Sequence, residues 1–168
     1  MSSGECSIGN RRWYEDANRN SRDHISIYTL HGEAIFFQHF DGPIYPTLRT
    51  LHKCMPESCC GSADILTVRA TDPFVLPVVG IDRGAIRFLL QGAHMMCPGM
   101  TSKGGYLPPT ESELPSGTPI ALHAEGKENA VGIGILKLST EEIKKVNKGV
   151  GVETITYLGD DLWQAQKL

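Results

Sequence analysis

The stretch DRGAIRFLLQGAHMMCPGM, residues 82–100, decides the fold. Asp82 stands where a side-chain oxygen caps a helix over RGAIRFLLQ, and Gly92 fits the left-handed position that closes it. Ala85, Ile86, Phe88, Leu89 and Leu90 supply the core face of that helix. AHMMC then reads as a strand, and Pro98-Gly99 as a turn. Imidazole, thioether and thiolate are donors that a soft transition metal selects, so His94-Met95-Met96-Cys97 has to be weighed as a metal nest. Strand alternation decides against it. His94 and Met96 point one way and Met95 and Cys97 the other, so the four do not converge on one ion. Met95 and Cys97, or Met96, read as adaptable core filler, and His94 as an exposed or rim residue.

Downstream, a loop carries Lys103 in KGG, and TPIALHA and NAVGIGILKL are strands joined by the turn EGKE. Ser139 and Glu142 form a capping box that starts the helix EEIKKVNK, with Gly149 to end it. VETITYL is a last alternating strand. The Asp160-Asp161 pair follows in a turn and reads as turn chemistry rather than paired catalytic carboxylates. Upstream, HISIYTL and AIFFQHF form a hairpin. YPTLRTLHK is a short helix with Pro46 in its first turn and Leu48 and Leu51 facing inward. Residues 1–23 lack a periodic apolar pattern and read as a poorly ordered arm. Residues 54–72 break the style of the chain with three cysteines, a Pro and a Gly, and read as an inserted loop with a short strand at ILTVRA.

The 168 residues are 40% hydrophobic, enough for one or two small domains. No run reaches the roughly 18 apolar residues of a membrane span, and the N-terminus is too polar for a signal peptide, so the expectation is a cytoplasmic protein without a membrane partner. Five cysteines without an export signal argue for reduced thiols. A net charge of −3 excludes a global basic field, so any RNA contact is a local patch. His52, Cys54, Cys59 and Cys60 lack paired zinc-type spacing, and no cofactor or metal is expected. No nucleophile with its base, P-loop or paired-carboxylate pattern marks an enzyme.

Residues 80–163, through the GAxxxxPG element, the AVGIG strand, the STEEI helix and the KGVGV turn, resemble a PUA domain, a small β-barrel RNA-binding module. With HGEAIFFQHFDGPIYPTLRTLHK, PFVLP, MCPG, AEGK, KVNKG and the YLGDDLW ending, the chain resembles the malignant T-cell-amplified sequence protein family over residues 24–53 and 73–163. The resemblance implies an α+β protein: a small α/β N-terminal domain, here incomplete, followed by a PUA-type barrel with two helices. Residues 24–72 would be the partial N-terminal domain, with 54–72 lacking a counterpart in the family, and residues 73–168 the PUA domain and the more stable unit, with residues 1–72 held loosely. The apolar side chains of 24–53, among them Ile35, Phe36, Phe37, Tyr45 and Leu48, must then bury against the PUA half or stay partly exposed.

The resemblance implies a non-catalytic translation factor that binds the small ribosomal subunit, its rRNA and tRNA, in initiation, reinitiation or post-termination recycling. Its partner would be a density-regulated-protein-type protein with an SUI domain. The RNA-facing groove would comprise Arg83, Arg87, Gly92, Ala93 and His94, bordered by Pro98 and Gly99, with Lys103, Lys148 and Gly149 as phosphate contacts. A glycine lets backbone approach a ligand closely, which agrees with that assignment. The alternative is an accessory RNA-binding subunit of a tRNA or rRNA modification enzyme.

Overall fold

The structure is a computed structural model that describes residues 9–14, 25–30, 32–39, 42–53 and 76–164. It is α+β, with two sheets that share one interface. The first is antiparallel, in the order β1 (Gly9–Tyr14), β2 (Ile25–Leu30), β3 (Glu33–His39), β4 (Ile44–Pro46), and is followed by helix α1 (Leu48–Lys53). The β2–β3 hairpin is the one expected, turning at Gly32 with φ 81°. Two features differ from the sequence reading. Residues 9–14 are a strand paired with β2, within the stretch read as an arm; GNRRWY carries no alternation to announce it, and pairing supplies what pattern does not. Pro46 ends β4, opposite Phe36, rather than opening α1. An edge strand tolerates proline because its missing N–H faces no ladder partner. Thr47 caps α1 instead, accepting from the Thr50 N–H at 3.3 Å.

The second sheet runs β5 (Val78–Ile81), β7 (Pro119–Ala124), β8 (Ala130–Leu136), β9 (Val150–Tyr157), β6 (Met95–Met96), with β5 and β7 parallel and the rest antiparallel. Between β5 and β7 the chain makes α2 (Ile86–Leu89), β6, α3 (Cys97–Thr101) and a short 3₁₀ turn at Thr110–Ser112; α4 (Thr140–Val146) precedes β9, and α5 (Asp161–Gln164) follows it. Among its described residues the second half therefore has four short helices where two were expected.

Alternation along β7 explains the packing. Ile120, Leu122 and Ala124 face the core of the second half, with Val79, Ile81, Leu89, Met100, Ile143 and Val152, while Ala121 faces the other way. On that outer side Ala121, Ala130 and Ile133 bury against Phe37, Tyr45, Leu48 and Leu51 of the first half. Both faces of the β7–β8 pair are thus covered, and AVGIGIL reads as a nearly continuous apolar run for that reason. Its glycines make room: a Cβ on Gly134 would stand 2.5 Å from Val152 Cγ1, and one on Gly132 3.3 Å from Leu89.

Polar contacts tie the halves as well. Arg49 donates from Nε and Nη2 to the Trp163 carbonyl at 3.1 and 2.6 Å, and its guanidinium lies 4.3 Å from the Trp163 ring centroid. His52 donates from Nε2 to the Ala130 carbonyl at 2.7 Å, which fixes its tautomer, and packs on the same indole. His52 is thus an interface residue. Cys54, Cys59, Cys60 and the ILTVRA strand lie outside the described residues, among which no cluster of metal-ligating side chains occurs.

Candidate functional site

The segment from Asp82 to Lys103 is built around one carboxylate. Asp82 Oδ1 accepts from the Ala85 N–H at 2.8 Å, as a helix-start residue should. Its Oδ2 accepts from Ser102 Oγ at 2.9 Å, and its own N–H donates to the Gly99 carbonyl at 2.9 Å. One residue therefore sets the start of α2 and ties it to the middle and the C-terminal end of α3. Arg83 stands exposed in the turn before α2, and Lys103 exposed in the loop just past Ser102, so each follows directly on one partner of this hydrogen bond.

Pro98 and Gly99 are not a turn between strands; they lie within α3, with Pro98 in its first turn, where its missing N–H costs nothing. Gly99 serves packing, since a Cβ there would stand 3.1 Å from that of Ala85.

At the other end of α2, Gly92 has φ 79° and donates its N–H to the Leu89 carbonyl at 2.9 Å, as the sequence requires. A Cβ at this position would meet the Tyr157 ring at 3.2 Å. Thr154 fastens the next residues: its Oγ1 donates to the Ala93 carbonyl at 3.0 Å and its N–H to His94 Nδ1 at 3.3 Å. His94 is exposed, Met95 buried, Met96 exposed and Cys97 buried, which is the alternation that argued against a metal nest, with Met95 and Cys97 the pair that fills the core. Burial pushes the Cys97 thiol pKa upward, so it stays protonated and inert. The Cys97 N–H donates to the Gly149 carbonyl at 2.9 Å, placing Lys148 and Gly149 beside the β6–α3 junction. Asn147, with φ 44°, takes the left-handed cap of α4 that the sequence assigned to Gly149.

Eight of the ten candidate residues therefore lie in the stretch from Arg83 to Lys103 that contains α2, β6 and α3, and Lys148 and Gly149 are hydrogen-bonded to it through Cys97. Arg83, Arg87, Lys103 and Lys148 make no ion pair with a described residue, whereas Lys53, Lys137 and Lys145 are paired with Glu33, Glu153 and Glu141. The sequence did not reveal Ser102, which fastens Asp82 from the end of α3, or Thr154 and Tyr157, which meet the loop after α2 from β9. It also misplaced Phe88 and Leu90, which are 47% and 41% exposed; a helix of one turn buries a single position, and Leu89 takes it.

Residues 77–158 match the model of the PUA domain family, and residues 16–54 that of the Pre-PUA-like domain. Malignant T-cell-amplified sequence 1 of Danio rerio is 45% identical over 141 residues, 84% of this chain and 66% of that protein. Translation machinery-associated protein 20 of Schizosaccharomyces pombe is 45% identical over 142 residues, 84% and 67% of the two chains. The chain thus spans about two thirds of the length of these relatives. Among solved structures, a PUA domain from Aeropyrum pernix is 26% identical with a TM-score of 0.61, covering 86% of this chain and 68% of that one. A conserved PUA domain protein from Thermoplasma acidophilum, 20% identical with a TM-score of 0.57 over 84% and 75% of the two chains, shares the fold. The sequence relatives, with both domain models matched in order, settle the kinship: this chain belongs to the family of malignant T-cell-amplified sequence proteins and translation machinery-associated protein 20.

Proposed function

We propose that the chain is a non-catalytic RNA-binding translation factor whose RNA contact is the α2–β6–α3 surface. The observation that carries this reading is the set of four cations without an ion pair to a described residue, Arg83, Arg87, Lys103 and Lys148, on and beside a segment whose backbone turns at Gly92. In a chain of net charge −3, cations kept free of carboxylates on one segment give a local field for phosphates. Lys103 and Lys148 supply point charges, and the two arginines supply forked donors suited to phosphate oxygens. The names of the relatives favour translation as the setting. In this reading the RNA is tRNA and small-subunit rRNA, the step is initiation, reinitiation or post-termination recycling in the cytoplasm, and the protein partner carries an SUI domain. No helix among the described residues is long and apolar enough to cross a membrane.

Sedimentation tests the reading. The purified chain should travel with isolated small ribosomal subunits at low salt, and more completely when an SUI-domain partner is added. A chain that stays at the top of the gradient under both conditions contradicts the proposal.

A further inference from the structure

Asp160, read from the sequence as turn chemistry, holds two elements at once. Its Oδ2 accepts from the Tyr157 N–H at 3.0 Å and its Oδ1 from the Trp163 N–H at 2.7 Å, so one carboxylate joins the end of β9 to α5. Each of those residues has a second engagement. The Tyr157 ring lies against Gly92, where a Cβ would stand 3.2 Å from its Cε1 and 3.3 Å from its phenol oxygen. The Trp163 carbonyl accepts both bonds from Arg49 of the first half, and its indole meets the Arg49 guanidinium and the His52 ring. A continuous series of contacts therefore runs from α1 through Trp163, Asp160 and Tyr157 to the glycine at which the loop after α2 turns. Local propensity does not explain α5, which is a single turn, too short to hold itself; its tryptophan packs in the cluster shared by the two halves.

We propose that Arg49, Trp163 and Asp160 are positioning residues for the loop at Gly92, so that docking of the first half on the second sets the shape of the RNA-facing surface. The effect on RNA rests on the RNA-binding reading above, whereas the coupling is a property of the free chain. Arg49 suits the task because its guanidinium presents two donors to one carbonyl and a flat face to the indole, which a lysine ammonium cannot copy. Asp160 suits it because an ionised carboxylate accepts on both oxygens, whereas an amide in its place accepts on one. Arg49 sits on α1, outside the α2–β6–α3 surface, so its effect there has to pass through the clasp.

The test is amide hydrogen exchange on the full chain without RNA. It is read at Gly92 and Ala93, whose N–H groups donate to the Leu89 and Phe88 carbonyls, and at Asn147, whose N–H donates to the Ile143 carbonyl in α4. Arg49→Ala should speed exchange at Gly92 and Ala93 by roughly 2- to 30-fold, the usual reach of a coupled substitution, and leave Asn147 as in the parent. Asp160→Asn should do the same, and Arg49→Lys should keep only part of the protection. Lys53→Ala, which removes an ion pair with Glu33 from the same helix, should change none of the three amides. Unchanged exchange at Gly92 and Ala93 in both Arg49→Ala and Asp160→Asn overturns the proposal, and so does an equal acceleration at all three amides, which marks a general loss of stability. With a single-stranded oligoribonucleotide, Arg49→Ala should lower affinity within the same range at an unchanged salt slope. A slope that falls by roughly 0.7 makes Arg49 a phosphate contact and overturns its positioning role. A parent chain without salt-dependent RNA binding would instead remove the RNA-binding reading, and the exchange rates would still decide the coupling.

Discussion

Gly92 shows how one residue couples conformation to the site. Its φ of 79° lies where an L side chain costs about 1–2 kcal/mol, and a methyl group would in addition press on the Tyr157 ring at 3.2 Å. Gly92→Ala should therefore lower stability in urea unfolding by about 1–2 kcal/mol; an unchanged midpoint would show that the loop after α2 tolerates a side chain. This position was legible because a glycine behind a helical pattern has a stereochemical meaning. Phe88 and Leu90 were not, since periodicity marks a face and cannot say that α2 stops after one turn. Nor could it show that Asp82 would serve Ser102 as well as Ala85: that second bond joins residues 20 apart in sequence, which no local pattern encodes.

At the scale of elements, local chemistry was the more dependable guide. The capping box was read from Ser139 and Glu142, and both of its bonds form, Glu142 N–H to Ser139 Oγ at 3.3 Å and Ser139 N–H to Glu142 Oε2 at 2.9 Å. α4 carries Ile143 into the core and ends at Asn147, two residues before Gly149, so its start bears on the site. Ser139→Ala should cost about 1 kcal/mol in thermal or chemical unfolding, within the range for a lost helix cap; a cost near zero would mean that packing of Ile143 alone sets the helix. Elements made by tertiary pairing were the ones missed. β1 has no pattern of its own, and Pro98-Gly99 looks like a turn until Ala85 is packed against it, at which point the same dipeptide begins a helix.

For the molecule as a whole, the decisive feature is that β7 and β8 are buried on both faces. The sequence leads one to expect residues 1–72 to be held loosely on a stable second half. Phe37, fully buried in the cluster shared with Ala121, Ala130 and Ile133, offers a direct measure of that. Phe37→Ala should cost about 3–5 kcal/mol. If the shared cluster couples the halves, the loss appears as a shift of one transition; two separated transitions, with the second at its original temperature, would show that the halves melt independently. The central claim, that free cations on the α2–β6–α3 surface bind RNA, is tested most directly by the salt dependence of RNA affinity. In the triple variant Arg83→Glu, Arg87→Glu, Lys103→Glu, with folding verified by its melting curve, each lost contact to a single strand removes roughly 0.7 from the slope of log affinity against log salt, about 2 in all. A parent slope that flattens by that amount, with weakened binding, is the predicted result; a folded triple variant with the parent's slope and affinity would contradict it.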